Sequence, residues 1–175
     1  MAVYRDEVAV IKSRDLGESD KLVTLFGRKR GRFTVVAKGI RLAKSRKRGH
    51  LETFNLCRVS CAEGKNIDIL VEAEEFFSLD SDQMSTEEFE RVGLAGMVVD
   101  RFLAEGISYR RIFDLWKAYI QSEHSAETTG CFVVDVIYDL GFISPQKKSD
   151  IETMLEKGSD LSRLRKYVEK ILNNI

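Results

Sequence analysis

The stretch that decides the fold runs Lys21-Leu22-Val23-Thr24-Leu25-Phe26, then Gly27-Arg28-Lys29-Arg30-Gly31, then Arg32-Phe33-Thr34-Val35-Val36-Ala37. Two apolar runs rich in β-branched and aromatic residues flank five residues that begin and end with glycine. This pattern predicts a β-hairpin that carries three cations at its tip. Outward from the hairpin, residues 7–13 predict a strand before it, and residues 52–62 and 67–77 predict two strands after it.

Five short strands, with a longer insertion between the third and the fourth, predict a small closed barrel. The OB-fold is a five-stranded barrel of this kind and binds oligonucleotides, whereas an SH3-like barrel gives a similar strand count. Counting strands does not separate the two. In the fifth strand, Ile67, Ile69, Val71 and Ala73 alternate with polar residues, so we expect them to share one face.

The second half of the chain changes to helical periodicity. Ser85-Thr86-Glu87-Glu88 is a capping box that predicts a helix start, and Ser108 is expected to cap a second helix. A third helix is expected over residues 126–140, a short fourth from the capping box at residues 149–152 to Gly158, and a fifth over residues 160–174. The predicted fold class is a two-part α+β protein: a five-stranded OB-fold barrel (residues 1–80) followed by an α-helical bundle (residues 81–175).

Charge is strongly segregated although the net charge is zero. Residues 1–65 hold 16 basic and 7 acidic side chains, and residues 66–110 hold 3 and 11. Between residues 28 and 48 there are ten cations and no acid. These cations are the candidate nucleic-acid-binding residues: Arg28, Lys29, Arg30, Arg32, Lys38, Arg41, Lys44, Arg46, Lys47 and Arg48. So much uncompensated positive charge in a folded segment favours nucleic acid as the partner.

The aromatic residues of the basic half are few. Phe33 is expected in the core and Tyr4 lies near the terminus, so binding is expected to run mainly through phosphates. Two alternatives stay open: an RNA-binding OB-fold module, and a protein adaptor whose basic loop docks an acidic partner.

Catalytic and cofactor motifs are missing from the sequence. There is no phosphate-binding loop, dinucleotide fingerprint or nucleophile elbow, so we expect a binding protein and not an enzyme. Cys57 and Cys61 are placed on a strand, too far apart to chelate one ion, Cys131 is expected in the core, and both histidines, His50 and His124, are expected at the surface. No metal or other cofactor is therefore expected.

Targeting features are missing as well. There is no apolar run of membrane-spanning length, and acids stand near the N-terminus where a signal peptide would be apolar. The odd number of cysteines argues against a disulfide framework. A cytoplasmic, nucleoid-associated protein without membrane contact is expected.

Several short motifs in order carry a family resemblance. They are Gly17–Phe26, Gly31-Arg32, Ala37-Lys38-Gly39-Ile40-Arg41, Lys44-Ser45-Arg46 and Leu51-Glu52-Thr53-Phe54. Together they resemble the N-terminal domain of RecO, the bacterial recombination mediator. Leu140-Gly141-Phe142-Ile143-Ser144-Pro145 is similar to the segment that precedes a four-cysteine zinc module in many members of that family. Here Gln146-Lys147-Lys148-Ser149 follows without cysteines, so the chain looks like a short, zinc-free variant.

The resemblance implies an OB-fold followed by a helical domain, binding of single- and double-stranded DNA, and annealing of complementary strands. It also implies cooperation with RecR in loading RecA onto DNA coated by single-strand-binding protein, and contact with the acidic, apolar C-terminal tail of that coat protein. Two basic sets in the helical part are candidates for the tail: Arg110, Arg111 and Lys117, or Arg163, Arg165 and Lys166.

Overall fold

The computed structural model of the chain describes residues 2–41, 51–158 and 161–174. Five strands come first: β1 (Val3–Leu16), β2 (Asp20–Gly27), β3 (Gly31–Ala37), β4 (Leu56–Ala62) and β5 (Asp68–Phe77). A 3₁₀ turn at Ser81–Gln83 precedes five helices: α1 (Thr86–Phe102), α2 (Arg110–Ile120), α3 (Ala126–Asp139), α4 (Pro145–Glu156) and α5 (Leu161–Leu172). The change from strands to helices along the chain agrees with the predicted α+β class.

The strands close into a barrel in the order β1-β2-β3-β5-β4. The long first strand closes it, because β1 pairs with β4 over Val3–Ala9 and with β2 over Val8–Leu16. All neighbours are antiparallel except β3 and β5, which pair in parallel at Val35 and Val36. This is the five-stranded OB-fold barrel, so that prediction is confirmed and the SH3-like alternative is set aside.

The β2–β3 hairpin forms as its sequence predicts. Its register pairs Gly27 with Gly31, which leaves the three cations at the tip, and its inward residues are buried. Phe33 is 9% exposed and belongs to the barrel core, as expected. The other core side chains include Val8, Val10, Val23, Leu25, Val35, Leu51, Val59 and Leu70.

The expectation that Ile67, Ile69, Val71 and Ala73 share one face of β5 is wrong. Val71 and Ile67 are exposed, while Leu70 is 1% exposed and belongs to the core. The register explains this: Cys61 pairs with Leu70 and Ser60 pairs with Glu72, so Val71 is an extra residue without an opposite partner. A β-bulge of this kind breaks the two-residue alternation on which the prediction rested.

Helix starts are predicted correctly at α1 and incorrectly at α2 and α4. At α1 the capping box is present: Ser85 Oγ accepts from the Glu88 N–H at 3.2 Å, and Glu88 accepts from the Ser85 N–H at 2.8 Å. Helix α4 is capped by Ser144, with Pro145 in the first turn, so it begins before the predicted box at residues 149–152. Helix α2 begins at Arg110, and Ser108 bonds elsewhere, as described below.

The chain divides into two compact units. One comprises Met1–Leu79 together with Leu103–Phe113, and the other comprises Asp80–Phe102 together with Asp114–Ile175. In the second unit an aromatic cluster forms the core, with the Tyr119 and Phe132 rings stacked at 4.9 Å and Trp116 fully buried. Among the described residues, no helix has the length and apolar character needed to cross a membrane.

Candidate nucleic-acid interface

Asp6 of β1 holds the tip of the β2–β3 hairpin through hydrogen bonds to its backbone. Both carboxylate oxygens of Asp6 accept from the Lys29 N–H at 3.1 Å, and one also accepts from the Arg30 N–H at 3.1 Å. Gly27 makes room for this carboxylate, since a Cβ there would lie 2.5 Å from Asp6 Oδ2. Arg28 and Lys29 are exposed, so a fixed backbone presents their side chains to solvent.

Asp6 is almost fully buried, at 4% exposed. Burial raises the pKa of its carboxyl above the ordinary value, and the N–H donors of Lys29 and Arg30 oppose that rise. The carboxylate is thus a buried anchor for a basic turn.

A second anchor comes from residues 103–113, which we call the clasp segment. Its Gly106 N–H donates to the Arg32 carbonyl at 2.8 Å, and Arg32 Nε donates to the Leu103 carbonyl at 3.0 Å. Ser108 Oγ donates to the Arg28 carbonyl at 3.2 Å, which is the role it has in place of the predicted helix cap. The clasp segment therefore holds the hairpin backbone at both Arg28 and Arg32.

Gly31 shows how closely the clasp segment approaches. Its φ is +68°, and a Cβ there would lie 1.6 Å from the Ile107 carbonyl oxygen. Only glycine fits both this conformation and this contact. Phe113, at the end of the clasp segment, packs edge-on against Phe26 of β2 with ring centroids 5.5 Å apart.

The predicted basic cluster is divided between the two ends of β3. Arg28, Lys29, Arg30 and Arg32 lie at the hairpin tip, whereas Lys38 and Arg41 follow the other end of the strand. Six steps of about 3.3 Å separate Gly31 from Ala37, so the two groups are roughly 20 Å apart. Lys44, Arg46, Lys47 and Arg48 lie outside the described residues.

The group after β3 is fixed to the turn between β1 and β2. The Gly39 N–H donates to Asp20 Oδ1 at 2.8 Å, and this bond lowers the pKa of the Asp20 carboxyl. Arg41 donates to the Gly17 carbonyl at 3.1 Å and pairs with Asp15 at 3.2 Å. Part of the hydrogen-bonding capacity of Arg41 is thus used within the barrel unit. Lys38, three residues earlier, is exposed.

A shallow cleft of about 380 Å³ lies on the outer face of β1, β2 and β3. The register places Lys12, Thr24 and Thr34 in one row, with Arg14 beside Leu22 in the next. Its described lining includes no acid and consists of Lys12, Ser13, Arg14, Leu22, Thr24, Arg32 and Thr34. We call this surface the cationic face.

Sequence reasoning missed Lys12 and Arg14 as site residues, because they precede the cation-rich stretch. Their spacing was the available signal: in a strand, two residues apart means the same face, and both follow an apolar run.

The outer face of β1, β4 and β5 has a different composition, and we call it the mixed face. Arg58 lies between two acids, 3.8 Å from Glu7 and 4.0 Å from Glu74. The cleft on this side, about 710 Å³, is also lined by Arg5, by Glu72 and, from the hairpin tip, by Arg28 and Lys29. Its carboxylates oppose the approach of phosphate.

The two basic sets of the helical part are both on the surface. Arg110 and Arg111 are exposed in the first turn of α2 and Lys117 is half-buried in its last turn. Arg163, Arg165 and Lys166 are exposed on α5, where Arg165 also pairs with Glu169 at 3.3 Å.

The α5 set adjoins a cleft of about 270 Å³ between α1 and α5. Leu94 and Leu161 supply apolar lining there, and Arg91 and Arg165 supply cations. Glu87 and Glu90 line the same cleft and reduce its positive charge.

The cysteines and histidine that the structure describes form no ligand cluster. Cys57 and Cys61 lie on a strand, β4, as expected, and both are buried. Cys131 is exposed and His124 is only 8% exposed, so the expectations for these two residues are wrong. Burial lowers the pKa of His124. In the part of the chain that the structure describes, no three His, Cys, Asp or Glu side chains are grouped to hold a metal. His50 is outside that part.

Residues 1–77, which cover the whole barrel, match the family model described as recombination protein O N terminal. The N-terminal part of the chain is therefore similar to that of the RecO family. The match defines the N-terminal part, and the remainder of the chain lies outside it.

Individual relatives agree with this placement. The chain is 46% identical over 72 residues to the DNA repair protein RecO of a Nocardioides species, a match that covers 41% of this chain and 30% of that protein. The protein of the same name from Bifidobacterium longum is 42% identical over 74 residues, covering 42% of this chain and 31% of the relative. That of Pelotomaculum thermopropionicum is 32% identical over 100 residues, covering 57% and 38%. The chain therefore spans about a third of the length of the relatives that it matches.

Proposed function

We propose that this chain is a non-catalytic DNA-binding protein of recombinational repair that binds the phosphates of single- and double-stranded DNA. The observation that carries the proposal is the cationic face, whose lining brings Arg32 at the base of the hairpin tip together with Lys12 and Arg14 of β1. Cations on such a surface neutralise phosphates and release condensed counterions, which gives affinity without sequence preference. The predicted DNA-binding set is extended here by Lys12 and Arg14.

Fixed backbone at the hairpin tip supports this role. Asp6 and the clasp segment hold the backbone of Arg28, Lys29 and Arg32. Because the cations are placed before DNA arrives, less conformational entropy is lost on binding.

Strand annealing follows from phosphate binding. Two DNA strands repel one another through their phosphates, and a cationic surface reduces that repulsion. A protein that holds the backbone leaves the pairing edges of most bases available, so a bound strand can pair with its complement.

A mediator role in repair is the wider proposal. From the similarity of the barrel to the RecO family, we propose that the chain acts with RecR to load RecA onto DNA coated by single-strand-binding protein, in the cytoplasm at the nucleoid. The acidic C-terminal tail of the coat protein is received by one of the two basic helical sets. The α5 set has the better local support, since an apolar cleft adjoins it.

The decisive experiment is an annealing assay on complementary strands, naked and coated with single-strand-binding protein, with and without RecR. We expect the chain to accelerate annealing of both substrates and RecR to affect the coated one. If the coat protein lacks its C-terminal tail, the chain should no longer accelerate annealing of coated strands. It should still accelerate annealing of naked strands. Failure to anneal naked strands would refute the proposal.

The matched variants are triple glutamate reversals of the two helical sets. Reversing Arg163, Arg165 and Lys166 should affect only coated DNA, and reversing Arg110, Arg111 and Lys117 should affect neither substrate. The opposite result would transfer the tail site from α5 to α2.

A further inference from the structure

Three segments of the barrel unit meet at one aromatic ring. Tyr4 of β1 lies beneath Arg30 of the hairpin tip, whose guanidinium carbon is 3.5 Å from the ring centroid. Arg30 also pairs at 3.0 Å with Glu63, which begins the loop between β4 and β5. We call Tyr4 and Arg30 the tyrosine platform.

The Tyr4 ring has a fixed orientation. Its hydroxyl donates to Asp68 at 2.6 Å, and its ring packs edge-on against the core residue Phe33 at a centroid distance of 6.1 Å. Burial and the bond to Asp68 raise the pKa of Tyr4, so the hydroxyl keeps its proton and remains a donor at neutral pH. The ring is therefore rigid before any ligand arrives.

Arg30, in contrast, is held at the surface. The side chains of Arg30 and Glu63 are 42% and 49% exposed, and ion pairs this exposed are weak and screened by salt. A phosphate offers the guanidinium a bidentate, charge-assisted partner in place of Glu63.

We propose that Tyr4 is a stacking site for one base of single-stranded DNA. Arg30 moves from the ring to the phosphate beside that base, and the base takes its place. The 3.5 Å separation between guanidinium and ring is also the thickness of a stacked base, so the face that Arg30 covers is accessible to a flat group once Arg30 moves. Exposed Lys29 and Lys65 lie on the two loops that meet here and can contact flanking phosphates.

This inference rests on the proposed function and adds a property that phosphate contacts do not have. Bases of a duplex are stacked on one another and cannot reach the ring, whereas bases of a single strand can. The platform therefore favours single-stranded DNA. One stacked base leaves the others ready to pair.

The test compares Tyr4→Leu with Tyr4→Phe in the full chain, each titrated with a single-stranded oligonucleotide and its duplex. Tyr4→Leu keeps apolar bulk against Phe33 but lacks an aromatic face. We expect it to weaken single-strand binding by roughly 5- to 150-fold, the usual effect of losing one base stack, and to leave duplex affinity unchanged. Tyr4→Phe should keep most of the affinity. Tyr167→Leu is the matched control, since Tyr167 also lies under a cation, Lys147 at 5.5 Å, but on α5, and it should change neither affinity.

Unchanged single-strand affinity in Tyr4→Leu would overturn the inference while leaving the proposed function intact. An equal loss on both substrates would also overturn it, because the effect would then be on the fold. If the wild-type chain binds no DNA, the proposed function itself fails. Should Tyr4→Leu not fold, photocrosslinking of the wild-type chain to an oligonucleotide containing 5-iododeoxyuridine decides the matter. Crosslinks at Tyr4 support the platform, and crosslinks only elsewhere refute it.

Discussion

The cationic face and the mixed face belong to one barrel and share strand β1, yet they differ in how their charges are arranged. On the cationic face the cleft lining includes Lys12, Arg14 and Arg32 and no acid among the described residues. On the mixed face Arg58 stands between Glu7 and Glu74, and Glu72 adds a further carboxylate. The difference is that carboxylates accompany the cations in the mixed-face cleft, which Arg28 and Lys29 of the hairpin tip also line, whereas no acid lines the described cleft of the cationic face. We therefore expect the cationic face to attract phosphate more strongly than the mixed face.

The largest expected effect concerns the clasp segment, which supports one end of the cationic face. Phe113 is fully buried and contacts Phe26. We expect Phe113→Ala to lower the free energy of unfolding by about 3–5 kcal/mol, the usual cost of removing a buried phenyl ring. Urea denaturation measures it. Ile107→Ala, at an exposed position of the same segment, should have little effect, and equal effects would argue against the clasp.

Next in size is reversal of the three consecutive cations at residues 46–48. We expect Arg46→Glu, Lys47→Glu and Arg48→Glu together to weaken single-strand binding about 100-fold at roughly 0.1 M salt, since each phosphate contact contributes a factor of about 5 there. Fluorescence anisotropy measures the affinity. The triple reversal of Arg163, Arg165 and Lys166 on α5 changes the charge equally and should leave binding to naked DNA near the wild-type value. Similar losses in both would mean that net charge alone governs binding.

The two faces can be compared directly with paired reversals. Lys12→Glu with Arg14→Glu should weaken DNA binding about 25-fold, corresponding to two lost phosphate contacts. Glu72→Lys with Glu74→Lys, on the mixed face, should leave affinity unchanged or slightly raise it. Anisotropy titrations at one salt concentration decide between them. Normal binding by the Lys12/Arg14 variant would remove the cationic face from the site.

The smallest effects come from the two aspartates that anchor the basic groups, and their signs are opposite. The pKa of Asp6 is raised in the folded chain, so its contribution to stability is greatest when protonated and declines as pH rises above about 3.9 through the raised pKa. The pKa of Asp20 is lowered, so its contribution is present above about 3.9 and is lost as pH falls through the lowered pKa.

Thermal unfolding of Asp6→Asn and Asp20→Asn across this pH range tests the signs. As pH rises, the melting temperature of the wild type minus that of Asp6→Asn should decrease. The melting temperature of the wild type minus that of Asp20→Asn should increase. Parallel curves would contradict the assigned anchors.

Much of this fold could be predicted from sequence because its signals are local. The hairpin at residues 21–37 and the capping box at Ser85 depend on neighbours in the chain, and both are confirmed. The bulge at Val71 was not predictable, since it is defined by the pairing of β5 with a separate strand. The start of α4 was misplaced because two capping sequences lie five residues apart and the one with proline at the first position forms the cap.

The candidate site was predicted less completely. A run of cations is visible in sequence, but its division between the two ends of β3 follows from strand geometry. Lys12 and Arg14 join the site through registers with β2, and Tyr4 through a contact with Arg30. The grouping of residues 103–113 with the barrel has no signature in the sequence, because it depends on backbone bonds to Arg28 and Arg32.

The salt dependence of single-stranded DNA binding tests the central claim, that the barrel binds DNA through phosphates, most directly. With about six phosphates neutralised, the logarithm of the association constant should fall against the logarithm of salt concentration with a slope of about −4. The slope should be the same for oligonucleotides of unrelated sequence. A slope near zero, or one that depends strongly on sequence, would contradict the account.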